Sequence, residues 1–404
     1  MSLADNKASP DDSSGPIAGA APDGRGVAPR VWLILSDKLG DNAQVRTIAD
    51  ALPWPCEERQ IVVRNRYVLG KPRVRASLHH VDLARSDPLE PPWPDLIITV
   101  GRRMSMVALW VRSRSGGRTR IVLVGRPRTL LRRFDLIVTS AQYRLPAREN
   151  VVHLTYPLMR VDEAAIAEAA REWRAEFDHL PRPLIALMVG GRIKSLRFDA
   201  EIGRRLAEDA ANLAARENGT LVVVTSRRTP SEVADTLAAA LPPGAILRRW
   251  TPGGQGNLYR ALLGLADRFI VTEDSVSMLV EIARLGKPLA IYPLPPSRSL
   301  LARALRWLGL LSPRGGAPVR HRALRAVQDL LYDIRLLGYP RDLSAIHRRL
   351  IDDGCAVWFG EPFPPSGQNI PDELPQVVRR IVALVDSTDR RDALARQDGA
   401  GPQE

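Results

Sequence analysis

The chain repeats one pattern along most of its length: a short run of apolar residues with no polar interruption, a small polar or glycine-bearing break, and then apolar residues at helical spacing. VWLILS (31–36), DLIITVG (95–101), RIVLVG (120–125) and DLIVTS (135–140) are such runs in the first half. LIALMVGG (184–191), LVVVTS (221–226), RFIVTE (268–273) and LAIYPL (289–294) return it in the second. A strand with one wet face would alternate apolar and polar residues, whereas a parallel strand covered by helices on both faces is apolar throughout. Weaker runs, IVVR (61–64) and AILRRW (245–250), read as further strands. Helical spacing follows the first run at Ala43, Val45, Ile48, Ala49 and Leu52. Further helices are predicted over 103–114, 162–178, 199–217, 231–240, 257–264 and from Ser275 to Leu285.

The pattern therefore predicts an α/β chain with two Rossmann-like, doubly wound domains facing each other across a cleft. A length of 404 residues accommodates them. The expected boundaries are a polar tail at 1–28, a first domain at 29–178, and a second at 179–330 that opens on the linker HLPRP (179–183). A helical extension follows at 331–386, with helical stretches at 324–337 and 374–385, and a second polar tail closes the chain at 387–404. The last amphipathic helix is expected to pack back on the first domain.

Several function classes are disfavoured. No uncharged apolar run approaches the roughly 18 residues of a membrane-spanning helix, and the first 28 residues lack the basic start and apolar stretch of a secretory signal. Cys56 and Cys355 are far apart and His79–His80 has no metal-ligand spacing, so no disulfide framework, metal or cofactor is expected, and a reducing cytoplasm fits. The net charge of +13 is carried almost wholly by arginine. Lysine occurs only at Lys7, Lys38, Lys71, Lys194 and Lys287, as a GC-biased genome would produce on an ordinary surface. With 5% aromatic residues for base stacking and no zinc-finger spacing, nucleic acid is not an expected partner.

The chemistry concentrates where strands end. In TEDSVSMLVEIARLGKPLAIYPL (272–294) a strand ends in Thr272, Glu273 and Asp274, and a helix opens at Ser275. Such a helix start offers unpaired amides and the positive end of the helix dipole to an anion such as a diphosphate. Asp274, Ser275, Ser277 and Met278 would line it, and Glu281, about two turns on, could accept from a ribose hydroxyl. Alternatively, Asp274 or Ser275 caps the helix and Glu281 is solvated, although Val280, Ile282, Ala283 and Leu285 leave that acid little polar surface. Gly190 and Gly191 would let backbone approach a phosphate, with Arg192 or Lys194 adding charge, or they form a tight turn. Ser226 and Arg227 close the next strand and would reach the same diphosphate, or they are a cap and a surface arginine. Across the cleft, Gly40, Asn42 and Gln44 occupy the loop after the first strand. Asp41 or Asp37 is the candidate general base for an acceptor hydroxyl, with helix capping the other role open to Asp41. Gly101, Arg102 and Arg103 end a strand and would line the same side, or they simply start a helix with exposed arginines. SRSLLARALRWLGLL (297–311) is a basic amphipathic helix that suits an anionic membrane surface or an ordinary core.

GDNAQ (40–44), PDLIITVGRRM (94–104), VGGRIKSLRF (189–198), TSRRTP (225–230) and TEDSVSM (272–278) together resemble one family. It is the plant mitochondrial-fission family called elongated mitochondria, with its bacterial homologues, and the resemblance runs from about Val31 to Val385. The 272–294 segment is also similar to the donor-nucleotide segment of two-Rossmann-domain (GT-B) glycosyltransferases. The resemblance implies a metal-independent glycosyltransferase that uses a nucleotide-diphosphate sugar. Its acceptor would be a cell-envelope glycan or a lipid-linked molecule, reached from the cytoplasm or from the inner face of a membrane. Two alternatives stay open: a non-catalytic adaptor at a membrane, as the plant members imply, and a nucleotide-sugar epimerase.

Overall fold

The computed structural model describes residues 28–37, 39–67, 75–127, 131–193, 195–251, 258–297 and 341–398. The tail read at 1–28, all but its last residue, and the helices read over 297–311 and 324–337, all but Ser297, lie outside the described residues.

Two parallel six-stranded sheets form the architecture. The first contains β1 (Val31–Leu35), β2 (Cys56–Gln60), β3 (Leu96–Val100), β4 (Arg120–Val124), β5 (Leu136–Ser140) and β6 (Val151–Leu154), in the order β2-β1-β3-β4-β5-β6. Side chains alternate between its faces. Ile34, Ile97, Leu123 and Ile137 pack on one side with Met104 and Val107 of α2 (Arg102–Arg114). Leu33, Leu96, Val122 and Val138 pack on the other with Val45 and Ile48 of α1 (Leu39–Ala49). Each fully buried aliphatic side chain contributes roughly 1.5–3 kcal/mol, so an uninterrupted apolar strand is stable only when both faces are covered.

The second sheet is built from β7 (Leu184–Val189), β8 (Thr220–Thr225), β9 (Ile246–Arg248), β10 (Arg268–Thr272), β11 (Leu289–Tyr292) and β12 (Val357–Trp358), in the order β12-β11-β10-β7-β8-β9. Around it lie α3 (Glu163–Phe177), α4 (Ala200–Arg216), α5 (Ser231–Ala240), α6 (Leu258–Leu265), α7 (Val276–Arg284) and α8 (Ser344–Asp352). In each sheet the chain winds outward from its first strand, returns, and continues on the other side. The point of reversal lies between β1 and β3 in the first sheet and between β7 and β10 in the second. Open α/β sheets bind ligands in the crevice beyond the strand ends at such a reversal.

Several expectations are corrected. The strand read at IVVR falls instead on Cys56–Gln60, whose Glu57 and Glu58 are exposed. Among the described residues β2 pairs only with β1, so it needs no apolar run, and Ile61 is buried as part of the following loop. Gly40 to Gln44 lie inside α1 and not in a loop before it. The helix over 162–178 packs on the second domain: Ile166, Ala169, Ala170 and Phe177 of α3 share a core with α6 and α7. The second domain likewise extends past residue 330, because β12 pairs with β11 and Ile346 and Leu350 of α8 join that core. The last helix, α9 (Leu374–Asp398), runs through much of the stretch read as a tail, where Ala, Leu, Gln and Arg favour helix.

Val377, Ile381 and Val385 of α9 pack on the first sheet, as the sequence predicts. Just before the helix, Glu373 accepts from the Thr155 amide at 2.8 Å, the Thr155 hydroxyl at 3.1 Å and the Tyr156 amide at 3.2 Å. The Tyr156 hydroxyl in turn donates to Asp353 Oδ2 at 2.8 Å. Urea unfolding of Glu373→Ala is expected to show a loss of about 1–3 kcal/mol, the cost of stranding these donors, and Glu373→Gln a smaller loss.

Candidate functional site

The second domain brings the ends of β7, β8 and β10 together through a buried polar cluster. The Gly190 amide donates to Thr272 Oγ1 at 2.8 Å, and the Gly191 amide to Asp274 Oδ2 at 2.7 Å. Thr272 Oγ1 donates to Asp274 Oδ1 at 2.7 Å. The Gly190 carbonyl accepts from Ser226 Oγ at 3.1 Å and Thr229 Oγ1 at 2.6 Å. Asp274 is 2% exposed, and the Arg228 guanidinium stands 3.9 Å from its Oδ2. Burial pushes the Asp274 carboxyl above its ordinary value, against the opposing pull of the Gly191 amide, Thr272 and the Arg228 charge.

This cluster corrects part of the sequence reading, which assigns the Gly190 and Gly191 amides to a diphosphate. The structure gives them to Thr272 and Asp274. The glycines are required by internal packing: a Cβ on Gly190 would stand 2.1 Å from Ser275 Oγ and 2.4 Å from the Asp274 carboxylate, and one on Gly191 2.3 Å from Arg228 Cβ.

Asp274 thereby turns away from α7. Ser275 occupies the N-cap position without a side-chain cap, and the first turn of α7 contains no acid. Ser277 is exposed and Met278 half-buried in that turn. Farther along, half-buried Glu281 accepts from the hydroxyl of Tyr259 on α6 at 2.5 Å. Burial raises the Glu281 carboxyl above its ordinary 4.5, partly countered by Tyr259 and the charge of Arg260, and the Tyr259 hydroxyl is pushed well up. Arg192 is drawn aside into an ion pair with Glu232 of α5. Arg227 is exposed in the turn after β8. Lys194 lies outside the described residues.

In the first domain a cavity of about 190 Å3 sits at the strand ends beside the β1/β3 reversal. Asp41, Gln44, Gly101 and Arg102, four of the residues read as facing the acceptor, line it together. Asn42 does not: it is 2% exposed and bonded to the end of β1, its Oδ1 accepting from the Ser36 amide at 3.1 Å and its Nδ2 donating to the Ser36 carbonyl at 2.6 Å. Asp37 and Gly40 are exposed and outside the lining. Sequence reasoning missed Arg126, Thr139 and Tyr143 in that lining, as well as Tyr259, Thr272 and Arg228 in the second domain. A signal for Arg126 exists: Val-Gly-Arg occurs at both 100–102 and 124–126, with Gly101 at φ 81° and Gly125 at φ 93°.

The model of the Mitochondrial fission ELM1 family matches residues 40–313, more than half of the chain. The chain belongs to this family. Its ELM1 relatives include the mitochondrial fission protein ELM1 of Arabidopsis thaliana, 28% identical over 233 residues, which are 52% of this chain and 54% of that protein. The chain thus spans about half the length of this relative. A second relative is an uncharacterized protein, RP120, of Rickettsia prowazekii, 22% identical over 307 residues, which are 67% of this chain and 85% of that protein. Among solved structures, the ADP-heptose LPS heptosyltransferase II of E. coli aligns over 89% of this chain and 99% of its own, with 14% identity and a TM-score of 0.41.

Two outcomes follow from this geometry. Gly190→Ala is expected to lower stability by about 1–3 kcal/mol through overpacking against buried oxygens. Gly40→Ala, with nothing within 4 Å of its Cβ, raises it by roughly 0.5–1 kcal/mol by favouring α1; thermal melts compare the two. Because the folded Glu281 pKa is raised, its contribution to stability is fully present below pH 4.5 and is lost as pH rises through the folded value. Urea titrations in steps up to neutrality are expected to show a shallower decline in Glu281→Gln than in the wild type.

Proposed function

We propose that the chain is a metal-independent glycosyltransferase that takes a nucleotide-diphosphate sugar on its second domain and an acceptor hydroxyl on its first. The observation that supports this most is the start of α7. It lies at the β7/β10 reversal, receives no side-chain cap from Ser275, exposes Ser277, and carries Glu281 two turns on, held by Tyr259. A helix start of this kind suits a diphosphate, and a half-buried acid held by a tyrosine suits ribose hydroxyls.

In the proposed reaction the acceptor oxygen forms a bond to the anomeric carbon while that carbon's bond to the diphosphate oxygen breaks. The diphosphate leaves with the electron pair, and the acceptor proton passes to Asp41. The first-turn amides of α7 and the guanidinium of Arg227 meet the negative charge that grows on the leaving group, as groups already in place before reaction. The acceptor in this reading is a cell-envelope glycan or a lipid-linked molecule.

One observation favours a second reading, a non-catalytic adaptor at a membrane. The Gly191 amide is satisfied by the Asp274 carboxylate and the Gly190 amide by the Thr272 hydroxyl, which itself donates to Asp274, so these amides are paired with no ligand.

Calorimetric titration with UDP, GDP, ADP and CMP separates the two. At least one nucleotide is expected to bind, and Glu281→Ala to weaken it about tenfold or more, the loss of a hydrogen bond to a charged group. Absence of binding by all four, together with sedimentation on anionic liposomes, would establish the adaptor reading instead.

A further inference from the structure

The cavity of the first domain has the makings of an anion site. Its floor is the carboxyl end of the first sheet and one wall is the start of α2. That 13-residue helix begins at Gly101, which supplies no side-chain cap, and its first turn contains Arg102 and Arg103 but no acid. Positive side chains at the positive end of a helix dipole repel it, the reverse of the usual preference, and a bound anion reverses the sign of both effects. Arg126, from the second Val-Gly-Arg triplet, brings another guanidinium to the lining, its Cζ 5.4 Å from the ring centre of Tyr143. Among the described residues Asp41 is the one acid in the lining.

An independent observation comes from Thr139. It lies at the end of β5, lines the cavity and is 1% exposed, and its Oγ1 has no hydrogen-bond partner among the described residues. A buried hydroxyl without a partner is costly, and native structures rarely keep one unless something outside the chain satisfies it. Water alone would serve, since 190 Å3 corresponds to about six waters. Water does not account for the two guanidinium groups, of Arg102 and Arg126, that line the same space at a helix start.

The geometry points to a phosphate group held in this cavity by the first-turn amides of α2, Arg102, Arg126 and the hydroxyl of Thr139. Joined to the glycosyltransferase reading, on which this step rests, the acceptor is a phosphorylated molecule whose phosphate is gripped here, placing its hydroxyl near Asp41. Such an acceptor comes either from solution as a sugar phosphate or from a membrane as a lipid phosphate.

Binding of glucose 1-phosphate is measured by calorimetry, and binding to phosphatidylcholine vesicles doped with phosphatidic acid by sedimentation, on the full chain, Arg126→Ala and Thr139→Val. Thr139→Val removes only an unpartnered hydroxyl, so its melting temperature is expected to match or exceed that of the wild type. Affinity for at least one probe is expected to fall about tenfold in each variant. Loss confined to glucose 1-phosphate identifies a soluble acceptor, and loss confined to vesicles a lipid-linked one. If neither probe binds, or both variants bind as the wild type does, the cavity holds water only and the inference is wrong. Nucleotide titration of the same proteins keeps the two readings apart. Glu281→Ala is expected to lose nucleotide and keep glucose 1-phosphate, whereas failure of every nucleotide beside intact phosphate binding overturns the donor assignment alone.

Discussion

The buried carboxylate of Asp274 organises the second domain. Two neighbouring strands, β10 and β7, end side by side where the winding of the sheet reverses, and the amides after β7 are taken by side chains from the end of β10. Asp274 holds them together, accepting from the Gly191 amide and from the hydroxyl of Thr272, which itself accepts from the Gly190 amide. A charge so deeply buried is tolerated because every oxygen has a partner and Arg228 stands close by. The arrangement fixes where α7 begins and removes from its first turn the acid that would otherwise cap it. The local demands of folding and the absence of an acid from the first turn of α7 are therefore two results of one side-chain orientation.

The first domain solves the same problem differently. Asn42 bonds both backbone groups of Ser36 and sets α1 against the end of β1, while Gly101 and Gly125 turn the chain sharply with positive φ after β3 and β4. The two glycines line the cavity at the strand ends, whereas in the second domain the Gly190 and Gly191 amides bond Thr272 and Asp274. Both domains are doubly wound, yet one presents a cavity and the other a helix start.

How much of this is legible in the sequence follows from burial. The strands at 31–36, 95–101, 120–125, 135–140, 184–191, 221–226, 268–273 and 289–294 are readable because neighbours cover both faces and both edges. Those misplaced, blurred or missed are β2, β6, β9 and β12, the four that border the sheets. A border strand such as CEERQ needs only one partner, tolerates charge, and loses the apolar signature. The site is legible in the same partial way. The gathering of Asp41, Gln44, Gly101 and Arg102 could be read because all follow strand ends. The inward turn of Asp274, the partnership of Glu281 with Tyr259 and the stranded hydroxyl of Thr139 depend on contacts between distant segments that no local pattern encodes.

The placement of α3 and α9 has a consequence for how the molecule can be divided. α3 leaves the first sheet to bury Ile166 and Phe177 against the second, and α9 leaves the second to bury Val377 and Ile381 against the first. Each half borrows a helix encoded on the other side of the obvious border. A cut at the HLPRP linker would strip an apolar face from both fragments, so independently expressed pieces must be chosen by these exchanged helices and not by the visible sequence boundary.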